Sequence, residues 1–421
     1  QIVKGLLKSA VDGSVTYTNP VTAAGSQTFS GAVTTAVNGF GDVTLTLVDT
    51  ERRIINGQAR DRVINSNVVT LGLDGTSTSA TSTTTNAYND ATSLMETSLQ
   101  EQQSSAISSE RTITSTTSRL QLTYGAVHDA NGDGQIQAGD RWGVQVAQDL
   151  EVPVLAGFSD LAIGVPSGNY AGSVTASTDV FGSRTLNLTA NDYQYIEDAQ
   201  GKKTGQFRVR TVTAQTVGTT IENSRTESLL VTFYEYTNGS EVPNDLIGSG
   251  LTQGGGTGQI FKDANLAAAN GAVRFTGLLK AASANGTTTE TNAFGAQTSS
   301  VVRQAYEIFH NQARLRTTTV ESTAISLDQA RTTSYNLQYF DYTNGSEPTT
   351  NIADDHRLRN TDYVEQVGGI WQVKAGFIDP TTGRIVSGLL VFAGTQRNDS
   401  ITEDILGNRT TTTNNQLFSI R

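Results

Sequence analysis

The sequence contains no cysteine and has few residues of several other types. Among its 421 residues there are one methionine, six prolines, three histidines and two tryptophans, and aromatic side chains make up only 7%. A chain without cysteine has no disulfides, and at this length it can bury large cores without them. The absence of thiols is compatible with a reduced cytosol and with an exported protein, so it leaves the compartment open.

Basic residues and long apolar runs are also scarce. The formal net charge is −11, the isoelectric point is near 4.8, and lysine occurs only seven times. Such a chain repels phosphate backbones and anionic headgroups, which argues against a nucleic-acid partner and against polybasic membrane anchoring. No stretch approaches the roughly 18 continuous apolar residues of a spanning helix, so the sequence predicts no membrane insertion by helices.

Threonine and glycine dominate what is present, with 62 and 41 residues. Threonine favours strands because its β-branch stiffens χ1 and fits a pleated surface, and glycine serves the turns between strands. The composition therefore predicts an all-β fold. The chain begins with Gln1, which is typical of a mature chain after leader removal and, with the abundance of Thr, Ser and Asn, favours an extracellular or cell-surface location.

An Asn-Gly turn recurs at a regular spacing along the chain. Asn-Gly pairs at Asn131, Asn238 and Asn344 lie 107 and 106 residues apart, and the last two belong to the nearly identical stretches EYTNGSE (235–241) and DYTNGSE (341–347). Each pair follows a strand-like run, and in SYNLQYFDYTNG alternate side chains are apolar, as in a strand with one buried face. The turn is therefore predicted to end a repeated strand.

A second landmark is Gly-Leu-Leu, at Gly5, Gly277 and Gly388. Thr-rich runs and Asn-, Asp- or Gly-containing turns follow such openings, and these residues tolerate the positive φ of tight hairpin connections. The predicted turns are NAYN (86–89), DVFG (179–182), NAFG (292–295) and DILG (404–407). The polar segment 93–111 has helical propensity, but we predict a strand because later segments at the corresponding places alternate like strands.

These landmarks predict antiparallel β-sandwich-like modules of about 100 residues in pseudo-repeat, with incomplete units at both chain ends. The predicted units are 1–71, a short β unit; 72–171, with a calcium-type loop; 172–276; 277–387; and 388–421, a terminal hairpin. The first and last units together amount to about one full module. We therefore expect the last hairpin of one copy to add to the first strands of the next, with an ordinary terminal cap as the alternative.

One loop carries the spacing of a cation site. The stretch DANGDGQIQAGD (129–140) matches D-x-[DN]-x-[DN]-G with a carboxylate at the twelfth place, and it resembles EF-hand and dockerin-type loops over these twelve residues. The predicted Ca²⁺ ligands are Asp129, Asn131, Asp133, Gln135 through its carbonyl, Gln137 directly or through water, and Asp140. The alternative is an unliganded turn, since Asp, Asn and Gly also serve turns for conformational reasons.

Six sequons are candidate glycosylation sites, at Asn187, Asn238, Asn285, Asn344, Asn398 and Asn408. A chain this rich in Asn and Thr also forms several sequons by chance. Attached glycans and chance occurrence both remain open.

No catalytic signature is present. His128, His310 and His356 are far apart and show no metal-ligand spacing, and no G-x-S-x-G or phosphate-binding loop occurs. The sequence predicts no enzyme but an extracellular structural protein, a homopolymer subunit of a filament, sheath or surface layer. The alternatives are a secreted monomeric adhesin or carbohydrate-binding protein, and an outer-membrane β-barrel, which the scarcity of aromatics argues against.

Overall fold

The protein is built almost wholly from β-strands. The computed structural model describes residues 9–21, 25–128, 141–162, 168–197, 201, 203–238, 250–253, 256–259, 276–309, 312–353, 358, 362–380, 383–414 and 416–418. Strands account for 70% of the structure, many of them in a large antiparallel sheet, and no described residue lies in an α-helix. The predicted all-β antiparallel class is confirmed, whereas the sandwich organisation and the modular repeat stay predictions.

The strands vary from three to 17 residues in length. In chain order they are β1 (Ser14–Thr18), β2 (Ser26–Ser30), β3 (Ala32–Val37), β4 (Val43–Ile55), β5 (Gln58–Leu71), β6 (Ser77–Tyr88), β7 (Met95–Ile107), β8 (Ile113–His128), β9 (Arg141–Asp149), β10 (Glu151–Pro153), β11 (Asn169–Ala171), β12 (Ser173–Thr178), β13 (Arg184–Glu197), β14 (Lys203–Thr219), β15 (Arg225–Asn238), β16 (Gly250–Gln253), β17 (Gly256–Gln259), β18 (Thr276–Thr291), β19 (Gln297–Phe309), β20 (Gln312–Ile325), β21 (Arg331–Tyr342), β22 (Val364–Val367), β23 (Ile370–Val373), β24 (Leu390–Glu403), β25 (Arg409–Thr413) and β26 (Gln416–Phe418). A 3-10 turn spans Ala375–Phe377.

The chain forms two compact units. Unit 1 comprises Gln1–Tyr195, Gly205–Phe207 and Ala214–Arg225, and unit 2 comprises Ile196–Thr204, Arg208–Thr213 and Thr226–Arg421. The predicted division into five units stays a prediction.

In unit 1, β3 to β8 follow one another as an antiparallel meander. Strand β8 has two neighbours on its far side, because Ile113–Ser118 pair with β12 and Leu120–His128 pair with β9. Strand β12 then pairs with β13. The segment between β9 and β12, which includes the β10–β11 hairpin, is therefore an excursion from an otherwise continuous sheet.

This excursion covers one patch of the sheet and forms the core of unit 1. Val152 and Leu161, from the excursion, pack with Val174, Leu186 and Leu188 of β12 and β13. Burying such side chains fully contributes about 1.5–3 kcal/mol each. Elsewhere the sheet is thinly covered: in β6 only Asn86 is buried.

In unit 2, β18, β19, β20, β21 and β24 form an antiparallel series, and both β25 and β26 pair with β24. The segment between β21 and β24 is a second excursion with its own apolar cluster. That cluster contains Ile352, Leu358, Val364, Val373, Ile385 and Val391, with Trp371 packed against it.

Threonine hydroxyls link neighbouring strands across the sheet face. The Oγ1 atoms of Thr44 and Thr70 lie 3.1 Å apart, and those of Thr116 and Thr175 lie 3.0 Å apart. Such cross-strand pairs contribute roughly 0.2–1 kcal/mol each relative to alanine pairs. The abundance of threonine thus stabilises a sheet that has little apolar cover.

Two local predictions had different outcomes. The predicted strand in 93–111 is confirmed by β7. The predicted turn at 86–89 is wrong, because Asn86 lies inside β6, where its buried side chain donates from Nδ2 to the Asp61 carbonyl at 3.0 Å. The turn begins at Asn89, whose amide donates to the Leu94 carbonyl.

Candidate assembly edges

In the described part of the chain, eight hairpins end in the same five-residue turn, here called a tip turn. The amide of the first residue donates to the carbonyl of the fifth, and the amide of the fourth donates to the carbonyl of the first, at 2.8–3.1 Å. The fourth residue has a positive φ in every case, which explains why it is glycine in five turns. The tip turns are 38–42, 72–76, 108–112, 179–183, 220–224, 292–296, 326–330 and 404–408.

The tip turns of each unit lie side by side at one end of its sheet. In unit 1, Val43 follows one turn and pairs with Leu71, which precedes the next. In unit 2, Gln297 and Ile325 have the same relation. Neighbouring tip turns are two strands apart, a spacing of about 9.6 Å.

Apolar side chains occupy the outer positions of seven of these eight turns. Phe40 is 86% exposed and Leu406 is 82% exposed. The full set is Phe40, Leu73, Val180, Phe181, Ile221, Phe294, Leu327, Ile405 and Leu406. The majority of the strongly exposed large apolar residues in the described chain therefore lie in rows at these sheet ends. Such a surface often marks an interaction site.

Two aspartates anchor equivalent segments of unit 1. Asp12 Oδ2 accepts a hydrogen bond from the Thr50 amide at 2.6 Å, and Asp149 Oδ2 accepts one from the Asn191 amide at 2.8 Å. The hydrogen bond from the Thr50 amide is the larger cause, and the ion pair with Arg52 the smaller one, that holds the pKa of Asp12 below its usual value. The carboxylate form of Asp12 thus ties the segment before β1 to β4.

Further along the chain from each aspartate, a glycine directly precedes a six-residue strand. Gly31 precedes β3 and donates to the Gly13 carbonyl at 2.9 Å, while Gly172 precedes β12 and donates to the Leu150 carbonyl at 3.2 Å. Both glycines have φ of 141°, and both lie where a Cβ would be 2.2 Å from a neighbouring carbonyl oxygen. Strands β3 and β12 are therefore local structural equivalents, each leading into a tip turn and a long strand.

The two strands differ in their neighbours. Strand β12 is paired on both sides, with β8 and β13, and none of its residues is exposed. Strand β3 pairs only with β4 among the described residues, and five of its six residues are exposed. Its sequence, AVTTAV, contains neither a charge nor proline, the features with which proteins usually protect sheet edges.

In unit 2, strand β25 has a similar setting. Its sequence is RTTTT, all five residues are exposed, and among the described residues it pairs only with β24. Amide and carbonyl groups alternate between the two sides of a strand. Because the amide of Asn414 donates to the Asn398 carbonyl of β24, the backbone groups of Arg409, Thr411 and Thr413 point to the open side.

The same alternation defines the open side of β3. The Asn38 amide donates towards β4 within tip turn 38–42, so the backbone groups of Val33, Thr35 and Val37 point away from β4. Each edge thus presents three outward-facing residues whose backbone groups pair with no other strand among the described residues.

In unit 2, the threonine of each copy of the repeated heptapeptide contacts a segment that is distant in the sequence. Thr237 and Thr343 are buried, and their Oγ1 atoms accept hydrogen bonds from the Leu278 and Leu389 amides at 3.1 and 3.0 Å. Both Leu residues belong to the Gly-Leu-Leu landmarks. The two sequence landmarks therefore meet twice, at Thr237 with Leu278 and at Thr343 with Leu389. Residues 239–241 of the first copy lie outside the described residues.

The predicted calcium loop, residues 129–140, lies outside the described residues. Its flanks are described: β8 ends at His128, β9 begins at Arg141, and these two residues pair. The twelve residues thus connect two paired strands, so the predicted site belongs to a hairpin connection and not to a helix–loop–helix.

Chelation is expected to lower the melting temperature of the native protein by removing calcium from this loop. A ligand present at 100 times its Kd stabilises the folded state by about 2.7 kcal/mol. The measurement is thermal unfolding by circular dichroism in calcium and in excess chelator. The double variant Asp129→Ala/Asp133→Ala serves as control and should show no shift; equal shifts in both proteins would refute the site.

The six sequons occupy different settings. Asn187, Asn285 and Asn398 lie within β13, β18 and β24, Asn238 ends β15, Asn344 follows β21, and Asn408 closes tip turn 404–408. Asn187 Oδ1 accepts from Thr216 Oγ1 at 2.7 Å inside the sheet, whereas Asn408 is exposed. Their glycosylation stays a prediction.

The remaining candidates form no site in the described part of the chain. His310 and His356 lie outside the described residues. Within the described ranges, no three His, Cys, Asp or Glu side chains gather as a metal-binding group, and no helix is long and apolar enough to cross a membrane. No family model matches the chain, and no curated protein matches its sequence.

The equivalence of β3 and β12 was missed by sequence reasoning, although a signal exists. Both begin Gly-x-Val-Thr, at Gly31 and Gly172, and both continue to a Phe-Gly pair at the same spacing, at Phe40 and Phe181. The shared aspartate was hidden because the number of residues between it and the glycine differs in the two segments.

Proposed function

We propose that this protein is a structural subunit that joins copies of itself head-to-tail by β-strand addition, in an extracellular filament, sheath or surface layer. The observation that carries the proposal is edge strand β3, which is exposed and uncharged, pairs only with β4 among the described residues and has three outward-facing backbone positions. A second open edge, β25, offers the complement. Adding a strand to such an edge satisfies its backbone groups and extends the sheet.

The geometry of the two edges supports an open assembly. The edges are different strands, so a contact between them is heterologous, and a heterologous contact that does not close generates a filament. In this proposal calcium in loop 129–140 stiffens the connection of β8 to β9, and the cell exterior is the site of assembly.

Removing one outward amide of β3 is expected to abolish assembly. Thr35→Pro deletes the outward-facing N–H and places a ring in the path of an added strand, while the hydrogen bonds of β3 to β4 use other residues. Purified wild-type protein should form polymers visible by negative-stain microscopy and sediment, and Thr35→Pro should remain dispersed.

Thr35→Ala is the matched control, because it keeps the amide and should still polymerise. Circular dichroism of the proline variant tests that it is folded. Dispersed wild-type particles at high concentration would refute the assembly and favour a monomeric binding protein. Polymers of Thr35→Pro would show that β3 is not the edge used.

A further inference from the structure

Strand β25 is the structural counterpart of the first part of β8. Each begins directly after a tip turn, at Arg409 after 404–408 and at Ile113 after 108–112. Their sequences, RTTTT and ITSTT, place threonine at the same second, fourth and fifth positions. Strand β3 is likewise the counterpart of β12, as its glycine, aspartate anchor and tip turn show.

The pairing of β8 with β12 is therefore a template for a pairing of β25 with β3. Within one chain, Ile113 directly follows tip turn 108–112, Thr178 directly precedes tip turn 179–183, and these two residues pair. We propose, on the basis of the proposed function, that β25 of one copy pairs antiparallel with β3 of a second copy in this register. Arg409 then pairs with Val37, Thr411 with Thr35 and Thr413 with Val33.

The backbone directions of the two edges agree with this register. The outward-facing residues of β25 are Arg409, Thr411 and Thr413, and their assigned partners are the outward-facing residues of β3. Every outward position therefore meets an outward position, as hydrogen-bonded pairs in an antiparallel ladder require. A register shifted by one residue would place outward groups opposite inward ones.

The side chains between these pairs also follow the template. Thr116 and Thr175 are the fourth residues from their tip turns, and their Oγ1 atoms lie 3.0 Å apart. The same positions at the joint are Thr412 and Thr34, so this register places two threonines in the same cross-strand relation. The other face combines Thr411 with Thr35.

The register also brings two apolar tips together. Tip turn 404–408, with exposed Leu406, comes to lie beside tip turn 38–42, with exposed Phe40. Within one chain, neighbouring tips already make this contact, since Leu73 lies directly over Gly41. The joint thus continues the row of tips from one copy into the next.

Cysteine cross-linking tests the register, because the native chain contains no cysteine. The double variant Thr34→Cys/Thr412→Cys, polymerised and mildly oxidised, should give a ladder of covalent oligomers on a non-reducing gel. In a non-hydrogen-bonded antiparallel pair the Cα atoms are about 4.5 Å apart, within disulfide range. The control Ala36→Cys/Thr412→Cys places them about 8 Å apart and should yield at least about tenfold less ladder.

The outcomes separate this register from the assembly itself. A ladder specific to the Thr34 pair, repeated when the two single variants are mixed, supports the proposal. Polymers that form but do not cross-link, or that cross-link better in the control, overturn the register while leaving strand-addition assembly standing. A disulfide confined to monomers overturns the second copy as partner, and the absence of polymers in the wild type refutes the proposed function.

Discussion

Replacing Gly172 with alanine is expected to destabilise unit 1 by at least about 3 kcal/mol. The glycine has φ of 141°, a region that side chains essentially never occupy and that costs about 1–3 kcal/mol by itself. In addition, a Cβ at this position would lie 2.2 Å from the Thr189 carbonyl oxygen. The oxygen belongs to the backbone of β13, so the clash is relieved only by moving that strand.

Moving β13 is costly because it carries part of the core. Leu186 and Leu188 lie on this strand and are fully or almost fully buried against Val152 and Leu161 of the excursion. Displacing them opens space in the cluster, and lost packing of buried leucines costs about 2–5 kcal/mol when complete. The backbone strain and the loss of packing therefore add.

Gly182→Ala is the matched control. Gly182 also has a positive φ, of 91°, but nothing lies within 4 Å of its Cβ position, and Arg111, Asn223 and Gln329 occupy the same place in other tip turns. Its expected cost is about 1 kcal/mol. The measurement is denaturant unfolding followed by Trp142 fluorescence in a Trp371→Phe background; equal losses for both variants would contradict the role of the clash.

The sequence predicts the class of this fold better than its connections. Threonine content predicts the β class, and the local conformational preferences of Asn, Asp and Gly predict turns such as 292–295. The partner of Ile113–Ser118 is different: it is β12, which begins 55 residues after Ser118, beyond an excursion. Pairing at that distance depends on the register of intervening strands, which alternation of side chains does not encode.

The candidate edges show the same limit. The sequence AVTTAV predicts a strand but does not indicate that the strand lies at an edge. Its place in the sheet is known only once its neighbours are known. The hypothesis of terminal strand addition names the chain ends but neither the strands nor their register. The strands and the register proposed above rest on the internal β8–β12 pair, which serves as the template.

Replacing Arg316 with methionine is expected to destabilise unit 2 by about 3 to 5 kcal/mol, the usual effect of removing one member of a buried ion pair. Its side chain is 13% exposed and lies between Glu307, 1% exposed, and Asp341, 16% exposed. The guanidinium binds the Asp341 carboxylate at 2.6 Å, lies 3.7 Å from Glu307 and stacks 3.9 Å from the centroid of the Tyr339 ring.

A bulge explains both the cluster and its absence from the sequence prediction. The register of β19 with β20 shifts between Ala305 and Tyr306, so that Ala305 pairs with Thr317 and Tyr306 with Leu315. Arg316 is left as the extra residue, and a bulge of this kind redirects a side chain. Burial lowers the pKa of Arg316 and Glu307 opposes that shift, so the guanidinium is held by the carboxylates that it neutralises.

Arg303→Met tests whether burial, rather than the loss of an ion pair alone, sets the size of the effect. Arg303 pairs with Glu321 across the same two strands at 2.9 Å, but both side chains are about half exposed, at 47% and 49%. Exposed pairs contribute about 0–1 kcal/mol, so the control should lose no more than that. Denaturant unfolding of both variants, followed by Trp371 fluorescence in a Trp142→Phe background, gives the comparison.

The double variant Arg316→Met/Glu307→Gln completes the test. Because the amide carries no charge, it should recover at least about 1 kcal/mol of the loss caused by Arg316→Met, a coupling within the range for residues in contact. Losses that simply add would show that Glu307 and Arg316 stabilise the sheet independently. Recovery would establish that the packing of β19, β20 and β21 depends on a buried charge cluster.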